Sequence, residues 1–232
     1  MSAVELSQVF SLASKEFRDR LRNRWVLAVA VVFTVFSVVI AYFGGAQQGS
    51  VGLRSIEFTI ASLVSLVIYL IPLIALILGF DAIVGERERG SLDLLLSLPI
   101  TRLEVLLGKY LGFAGMLIIY IVLMVGSVVA TSRIVGNYMP PNVIQGTLLI
   151  ILVSMILLSL TVFGSTLFST VANGVVVFML YGMAVTGGLV EQIGTGLNND
   201  TMVNIGIATS ILVPSDSMWR LASYVVALAM AV

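Results

Sequence analysis

The sequence predicts an all-α, polytopic membrane helical bundle, and three observations carry that prediction. Hydrophobic residues make up 59% of the 232-residue chain and its mean hydropathy is +1.12, whereas only 10% of residues are charged; a soluble domain has about 25%. The apolar residues form runs of about 20, the length that a helix needs to cross hydrocarbon. The charges gather between those runs. We therefore expect one transmembrane domain, residues 1–232, with an N-terminal interfacial helix, five full spans and an incomplete sixth.

Residues 1–24 begin with an amphipathic helix. Its apolar residues recur at steps of three and four, as one helical face requires; they are Leu6, Phe10, Ala13, Phe17 and Leu21. We interpret this helix as lying in the membrane surface, apolar face down and cations such as Arg22 toward lipid headgroups, because Trp25 leads straight into a span. The alternative is a soluble helix packed on another cytosolic element. Glu16 and Arg20, four residues apart, are expected to pair.

Three charge-free runs in the first half of the chain have span length. The first is Trp25–Phe43, flanked by interfacial aromatic residues, and the third is Leu111–Ala130. The second, Phe58–Phe80, contains Pro72, which removes one helical hydrogen bond and predicts a kink that a bundle tolerates.

The second half of the chain predicts two more spans. Arg133 and Glu191 enclose 57 residues without a charge, too many for one crossing. We place a turn at residues 169–174, between a fourth span at about residues 146–167 and a fifth at residues 174–190.

Three glycines of the fifth span, Gly182, Gly187 and Gly188, predict close helix contact. The last apolar run, Leu221–Val232, has 12 residues, about 18 Å as a helix, which is too short to cross. We expect that the sequence stops partway into a sixth span; the alternative is an interfacial segment.

The distribution of cations predicts the orientation. Nine precede the first span or lie between the second and third spans, and three fall on the other side. The nine are Lys15, Arg18, Arg20, Arg22, Arg24, Arg87, Arg89, Arg102 and Lys109, and the three are Arg54, Arg133 and Arg220. The positive-inside rule then predicts a multi-pass protein of the cytoplasmic membrane with a cytosolic N-terminus.

Residues 81–109, between the second and third spans, hold nine of the 24 charged side chains. We expect the second span to continue as helix past Asp81 and to end at Gly90, which adopts a left-handed C-cap without steric cost. Ser91 is then expected to be the N-cap of a short helix, with Asp93 complementing its positive end. Pro99 stops that helix.

The helix of the third span is expected to begin with a capping box. Thr101 and Glu104 have the T-x-x-E spacing, and Ile100 and Val105 are placed to form the hydrophobic staple. The loop therefore predicts a short helix laid across the ends of its neighbours.

That short helix is rich in leucine, and five leucines within seven residues cannot all face one bundle. They are Leu92, Leu94, Leu95, Leu96 and Leu98. One interpretation is a helix seated in the groove of a partner protein, with the Glu/Arg block as a polar rim. The other is that the leucines dip into the bilayer surface while the charges are solvated.

The composition excludes several function classes. The chain has no histidine or cysteine, so we predict no metal site and no His- or thiol-based catalysis. Zero net charge gives no reason to expect nucleic acid. Gly85 and Gly90 have phosphate-loop spacing, but Ser91 follows in place of the required lysine. No ionisable side chain lies mid-span, which argues against proton- or sodium-coupled transport.

The loop resembles a known family. Gly85-Glu86-x-Glu88-x-Gly90-Ser91-Leu92, then Leu95-Leu96, Pro99, Arg102 and Gly108-Lys109, is similar to the cytosolic loop of the ABC type-2 permeases, the membrane subunits of one class of ATP-binding-cassette exporter. Residues 15–25 look like that family's elbow helix. Residues 81–86 are particularly similar to permeases of nitrous-oxide-reductase maturation, a copper-site assembly system, whereas the sequence after Asn142 looks more like other members.

The resemblance implies roles for particular residues. The coupling helix, residues 91–98, would sit in an ATPase groove with Glu86, Glu88 and Arg102 as polar contacts. The full implied contact set is Glu86, Glu88, Gly90, Ser91, Leu92, Asp93, Leu95, Leu96, Pro99, Arg102 and Glu104. The implied elbow set is Phe10, Phe17, Leu21, Arg22 and Trp25.

The resemblance also implies partners. The family has six spans and pairs two permeases with two ATPases, which bind ATP and Mg²⁺, so this chain is expected to bind no cofactor. Membrane lipid and an extracytoplasmic accessory protein complete the expected partners. The substrate and the direction of transport stay open, since a lining of Ser, Thr, Tyr and Met suits a copper–sulfur species, a lipid or a drug. A non-transporting scaffold, a multidrug or lipid exporter and an uncoupled channel are the alternatives.

Overall fold

A computed structural model describes residues 5–22, 28, 31–40, 53–92, 97, 100–136 and 143–212. Over these residues the protein is helical and contains no strand, which confirms the predicted all-α class. The helices are α1 (Leu6–Leu21), α2 (Val31–Ile40), α3 (Leu53–Gly79), α4 (Val84–Glu88), α5 (Arg102–Gly136), α6 (Val143–Leu167), α7 (Thr170–Gly196) and α8 (Asp200–Leu212).

Four helices of the described ranges, α3, α5, α6 and α7, are long and apolar enough to cross a membrane. They contain the predicted second to fifth spans, and Pro72 lies inside α3. The predicted first span is described only over α2, and Leu221–Val232 lies outside the described residues. The protein is therefore a polytopic membrane protein.

The core lies where α3 packs against α5 and α6. Ile71, Leu117, Ile121 and Leu158 are fully buried there, and α2 adds Phe33. The buried hydroxyls of Ser154 and Thr161 donate to carbonyls of their own helix, at 2.7 and 2.6 Å. Helix packing inside a membrane depends on van der Waals contact between the helices rather than on exclusion of water.

The expected continuous helix from the second span to Gly90 is wrong, because α3 ends at Gly79 and the chain turns before α4. Continuing the helix would pair the Phe80 carbonyl with residue 84, but that carbonyl accepts a hydrogen bond from Asn173 Nδ2 at 2.7 Å. The Ile83 N–H donates to Ser165 Oγ at 3.3 Å instead of a helical carbonyl. Side chains of α6 and α7 thus compete with the helix for its backbone groups.

The connection between the fourth and fifth spans is shorter than the predicted turn at residues 169–174. α6 ends at Leu167 and α7 begins at Thr170, with Ser169 as its N-cap, whose Oγ accepts from the Ala172 N–H at 3.4 Å. The polar residues that suggested a longer turn lie inside α7. Asn173 is fully buried and also donates to the Thr161 carbonyl at 3.1 Å.

Helix α8 was not predicted from the sequence. It follows a tight turn in which Asn198 has a φ of 51° and Asn199 Oδ1 accepts from the Thr201 N–H at 3.1 Å. α8 packs back on α7 through glycines: a Cβ on Gly187 would meet Thr209. The close contact expected at Gly187 is therefore made, whereas a Cβ on Gly182 would meet nothing within 4 Å in the described part of the chain.

Candidate functional site

Helix α1 packs along the first half of α5, on a row of glycines. A Cβ on Gly108 would lie 2.8 Å from Leu12 Cβ, and a Cβ on Gly112 would lie 2.7 Å from Glu16 Cβ. Positions increase together along the two helices, so they run in parallel. Because glycine has no side chain, the α1 backbone approaches α5 closely.

The face of α1 that packs on α5 differs from the predicted apolar stripe. The buried residues are Val9, Leu12, Ala13 and Glu16. Leu6 and Phe10 are 69% and 66% exposed, and Leu21 is also exposed. The sequence stripe therefore divides, with Ala13 and Phe17 turned to α5 and Leu6, Phe10 and Leu21 exposed.

The starts of α1 and α5 are joined through Glu104. Its Oε2 accepts hydrogen bonds from the Thr101 N–H at 2.6 Å and hydroxyl at 2.8 Å, and the Thr101 hydroxyl accepts from the Glu104 N–H at 3.3 Å. This confirms the predicted capping box. Oε1 accepts from the Glu5 N–H at 2.6 Å. The Glu5 N–H has the largest effect on the pKa of Glu104, and together with the Thr101 donors it holds that pKa below its ordinary value of 4.5.

Lys109 joins three elements at the end of the bundle where α3 ends and α5 begins, which we call the loop end. Its side chain is 2% exposed. Nζ lies 2.6 Å from Glu86 Oε1 on α4 and 3.2 Å from Glu16 Oε1 on α1. A buried ammonium needs carboxylate partners, because a buried charge without an opposite charge is costly in a low dielectric. Lys109 thus holds α4 and α1 to α5.

A second ion pair lies beside the first. Arg20 Nη2 is 3.8 Å from Oδ1 of Asp81, which lies in the turn before α4. The Arg20 guanidinium also lies 4.7 Å from the centroid of the Phe113 ring. The expected pairing of Glu16 with Arg20 is wrong, because Glu16 turns to Lys109 and Arg20 to Asp81. Both residues of α1 are used in contacts with other elements.

The opposite side of α4 is held to the start of α7. Glu88 Oε1 accepts from the Thr170 N–H at 3.0 Å, and Oε2 accepts from the Thr170 hydroxyl at 2.7 Å. Arg87 donates to the Phe168 carbonyl at 3.4 Å. The Thr170 N–H and then its hydroxyl lower the pKa of Glu88, and Arg87 and Arg89 act in the same direction. A carboxylate at a helix N-terminus is also favoured by the helix dipole.

The end of α4 agrees in part with the sequence prediction. Gly90 has a φ of +73° and follows the last residues of α4, which confirms the left-handed cap. Ser91 is not an N-cap: it is helical, and its hydroxyl donates to the Glu86 carbonyl at 3.3 Å.

The implied contact residues divide by position. Glu88, Gly90, Ser91 and Arg102 are exposed, Leu92 and Glu86 are half-buried, and Glu104 is 2% exposed. The carboxylate of Glu104 is engaged with its own chain, so its position fits a cap better than a partner contact. Several of the implied positions lie outside the described residues. They are Trp25 of the elbow set and Asp93, Leu94, Leu95, Leu96, Leu98 and Pro99 in and after the coupling helix.

Lys109 and Glu16 are the site residues that the sequence reasoning missed. Lys109 was counted as a cytosolic charge and quoted in the family resemblance, and Glu16 was taken as a local helical partner and as part of the elbow helix, but neither was expected to contact the other. The available signal was Gly108-Lys109 at the start of a long apolar run, where a small residue beside a cation permits close packing. Within the described ranges no three acidic side chains cluster as metal ligands do.

Comparisons with known proteins agree on the family. The model of the ABC-2 family transporter protein matches residues 10–230. The chain is 55% identical over 104 residues to the "Probable ABC transporter permease protein NosY" of Pseudomonas aeruginosa, a segment that covers 45% of this chain and 38% of that protein. It is 53% identical over 107 residues to the protein of the same name from Stutzerimonas stutzeri, covering 46% and 39%. The matches thus span well under half of the relatives' length.

Proposed function

The chain belongs to the ABC-2 family of transporter proteins, and from this we propose that it is the membrane-spanning permease subunit of an ATP-binding-cassette exporter. It is a transport subunit rather than an enzyme, and a separate ATPase chain binds ATP and Mg²⁺. The lack of a phosphate-binding lysine after Gly90 supports this division. The nine-to-three distribution of cations supports a cytoplasmic membrane location with the N-terminus and the loop end in the cytosol.

The observation that carries the proposal is the two-sided attachment of α4. Glu86 binds Lys109 of α5 on one side, and Glu88 binds Thr170 of α7 on the other. Lys109 in turn binds Glu16 of α1. A surface segment tied to three helices is suited to receive a displacement from a partner and pass it into the bundle.

The mechanism follows from these attachments. An ATPase that changes shape on nucleotide turnover pushes on the segment after Gly90 and so moves α4. Because Lys109 is buried and Glu86 is half-buried, water competes with their contact less than at an exposed ion pair, and α5 and α1 follow α4. Through Glu88, the N-terminus of α7 follows as well. The force therefore reaches the membrane helices without a nucleotide site on this chain.

The contacts with the ATPase are assigned to the outer residues. The exposed Gly90, Ser91 and Arg102, with the coupling-helix residues, form the docking surface, and Leu92 borders it. Glu86 and Glu104 lie further from the surface. We assign Glu86 to transmitting the displacement to Lys109 and Glu104 to capping α5, and neither to binding the ATPase. Two copies of the chain and two ATPases form the working unit, as the family resemblance implies.

The physiological setting is proposed from similarity. The two relatives named NosY, together with the likeness of residues 81–86 to permeases of nitrous-oxide-reductase maturation, support export for assembly of that copper enzyme. An extracytoplasmic accessory protein would receive the cargo.

Co-purification tests the docking proposal. A tagged chain is co-expressed with a candidate ABC ATPase subunit from the same genome, and the ATPase recovered per permease is measured. Leu95→Asp, in the coupling helix, is expected to abolish recovery because it places a charge in an apolar groove. The matched control is Arg133→Asp, at the far end of α5, which should leave recovery unchanged. Normal recovery with Leu95→Asp would refute the dock.

The ATPase rate separates a transporter from a scaffold. In proteoliposomes, an exporter changes the ATPase rate when its cargo is supplied, whereas a scaffold that only recruits the ATPase gives a rate that ignores the cargo. Glu86→Gln is informative here, because it leaves the docking surface intact and weakens the attachment to Lys109. We expect normal recovery of the ATPase with a lowered response to cargo.

A further inference from the structure

A cavity of about 570 Å³ opens at the loop end beside α4. Its described lining comes from α4 and its flanking residues, from the first turns of α5 and from the last turn of α6. These lining residues are Ile83, Arg87, Leu92, Arg102, Leu103, Val105, Leu106 and Thr166. The volume is that of a small-molecule site.

The cavity carries two cations and, among its described lining residues, no carboxylate. Arg87 and Arg102 are both exposed at its mouth. Arg87 uses one donor on the Phe168 carbonyl, and Arg102 has no hydrogen bond or ion pair within the described part of the chain. A guanidinium has five N–H donors, so most of the donors on these two side chains have no protein acceptor in the described part of the chain and can bind an anion.

The remaining lining is apolar. Val105 is buried, Leu106 is half-buried, and Leu103 is 52% exposed although it is a leucine. A free inorganic anion would gain nothing from these side chains. The combination of two guanidinium groups and an apolar wall matches a molecule with an anionic head and a hydrocarbon body.

The cavity also lies at the depth of lipid headgroups. α6 has 25 residues, about 37 Å of helix, and the hydrocarbon core is about 30 Å thick. Thr166 is the second residue from the end of α6, so it falls at the edge of that core. The first turns of α5 project beyond the same edge.

From these observations we infer that the cavity binds an anionic phospholipid of the cytosolic leaflet, its phosphate held by Arg87 and Arg102 and its first methylenes against Leu103 and Leu106. Basic pockets between membrane helices on this side bind such headgroups, and the guanidinium fork matches phosphate oxygens. The choice of leaflet rests on the proposed orientation. The lipid would then brace α4 against α5 and α6.

Lipid retention tests the inference on the full chain, purified in neutral detergent. Native mass spectrometry counts bound phosphatidylglycerol, and titration of the thermal unfolding midpoint with the same lipid gives the affinity. Arg87→Gln with Arg102→Gln should weaken binding by at least about tenfold, as the loss of one charge-assisted hydrogen bond implies. The matched control, Arg18→Gln with Arg89→Gln, makes the same change of charge at exposed residues away from the described lining and should leave the affinity unchanged.

Further arms identify the ligand. Leu103→Trp keeps both arginines but narrows the cavity, and it should also weaken phosphatidylglycerol binding. Phosphatidylcholine and inorganic phosphate should each raise the midpoint far less. The inference would be overturned if inorganic phosphate raised the midpoint as much as phosphatidylglycerol does, or if phosphatidylcholine bound as tightly. It would also be overturned if Arg18→Gln with Arg89→Gln weakened binding as much as Arg87→Gln with Arg102→Gln.

A parallel pull-down separates this inference from the proposed function. If Arg87→Gln alone, which leaves the proposed docking residues unchanged, abolished ATPase recovery while lipid binding stayed normal, the cavity would belong to the protein interface and the lipid inference would fall. Loss of lipid binding in Arg87→Gln with normal ATPase recovery would support the inference. Failure of the lipid titration alone would leave the permease proposal standing.

Discussion

Lys109 and Glu86, 23 positions apart in the chain, form a partly buried ion pair between two helices, with Nζ 2.6 Å from Oε1. The same Nζ lies 3.2 Å from Glu16 Oε1, 93 positions away. The contact therefore fixes the short α4 to α5 and to the N-terminal helix at once. It is the contact on which we expect stability and coupling to depend.

Replacing Lys109 by methionine should destabilise the protein by about 3 kcal/mol, because the buried Glu16 and the half-buried Glu86 would both lose their buried cation. Urea unfolding in detergent, followed by circular dichroism, measures the loss. Lys15→Met, at an exposed lysine that only touches Glu16 at 4.0 Å, is the control and should change little. Adding Glu16→Gln and Glu86→Gln to Lys109→Met should restore part of the loss; no restoration would contradict the pairing.

Substituting Gly112 by alanine should loosen α1. The new Cβ would lie 2.7 Å from Glu16 Cβ and 3.0 Å from the Ala13 carbonyl oxygen, and overpacking of this kind costs about 1–3 kcal/mol. The matched control is Gly126→Ala in the same helix, where a Cβ would meet nothing within 4 Å of the described chain and helix propensity alone favours alanine by about 1 kcal/mol. Because Gly112→Ala gains the same propensity, its net cost is the overpacking cost less about 1 kcal/mol, so its unfolding midpoint should lie clearly below that of Gly126→Ala. Equal shifts would argue against the glycine contact.

The Glu104 carboxylate should make stability depend on pH in the acid range. Hydrogen bonds from Glu5 and Thr101 lower its folded-state pKa below the ordinary 4.5, so its contribution is complete above that value and is lost as the pH falls through the folded pKa. The difference in unfolding midpoint between the native chain and Glu104→Gln should be constant between about pH 6 and 8 and shrink below 4.5. A difference that grew on acidification would contradict the assignment.

Glu88→Ala should expose the start of α7. The Thr170 N–H donates to Glu88 at 3.0 Å, and without that acceptor its amide should exchange several-fold faster with solvent deuterium. Hydrogen exchange resolved over the first turn of α7 measures the change. Arg89→Ala, an exposed neighbour without a role in this cap, should leave the exchange rate as it is. Unchanged exchange in Glu88→Ala would show that this contact does not join α4 to the start of α7.

Local signals in the sequence predicted the features that depend on a few neighbouring residues. The capping box of Thr101 and Glu104 needs only residues three apart, and the left-handed Gly90 needs only the absence of a side chain. The spans followed from runs of apolar residues, because a backbone in lipid must be helical to satisfy its own hydrogen bonds.

Features that depend on distant residues could not be read in the same way. The end of α3 is decided by Asn173, 93 positions later, and the partner of Glu16 is decided by Lys109. Periodicity gave α1 an apolar face but not the element that would cover it, since the glycines of α5 lie against Leu12, Ala13 and Glu16 rather than Leu6 and Phe10. For α8, the Asn199 cap was a local signal that the sequence reasoning passed over.

The distance between labelled copies of the chain tests the transmission through Glu86 and Lys109 most directly. The sequence has no cysteine, so Arg89→Cys and Arg18→Cys place single spin labels at the end of α4 and on α1, both at exposed sites. Pulsed electron resonance then gives the copy-to-copy distance in the proposed complex of two copies and two ATPases, with and without trapped nucleotide. We predict that both distances change with nucleotide, and that Glu86→Gln preserves the change at position 89 while reducing the change at position 18 by at least about half. An undiminished change at position 18 in that variant would contradict the account.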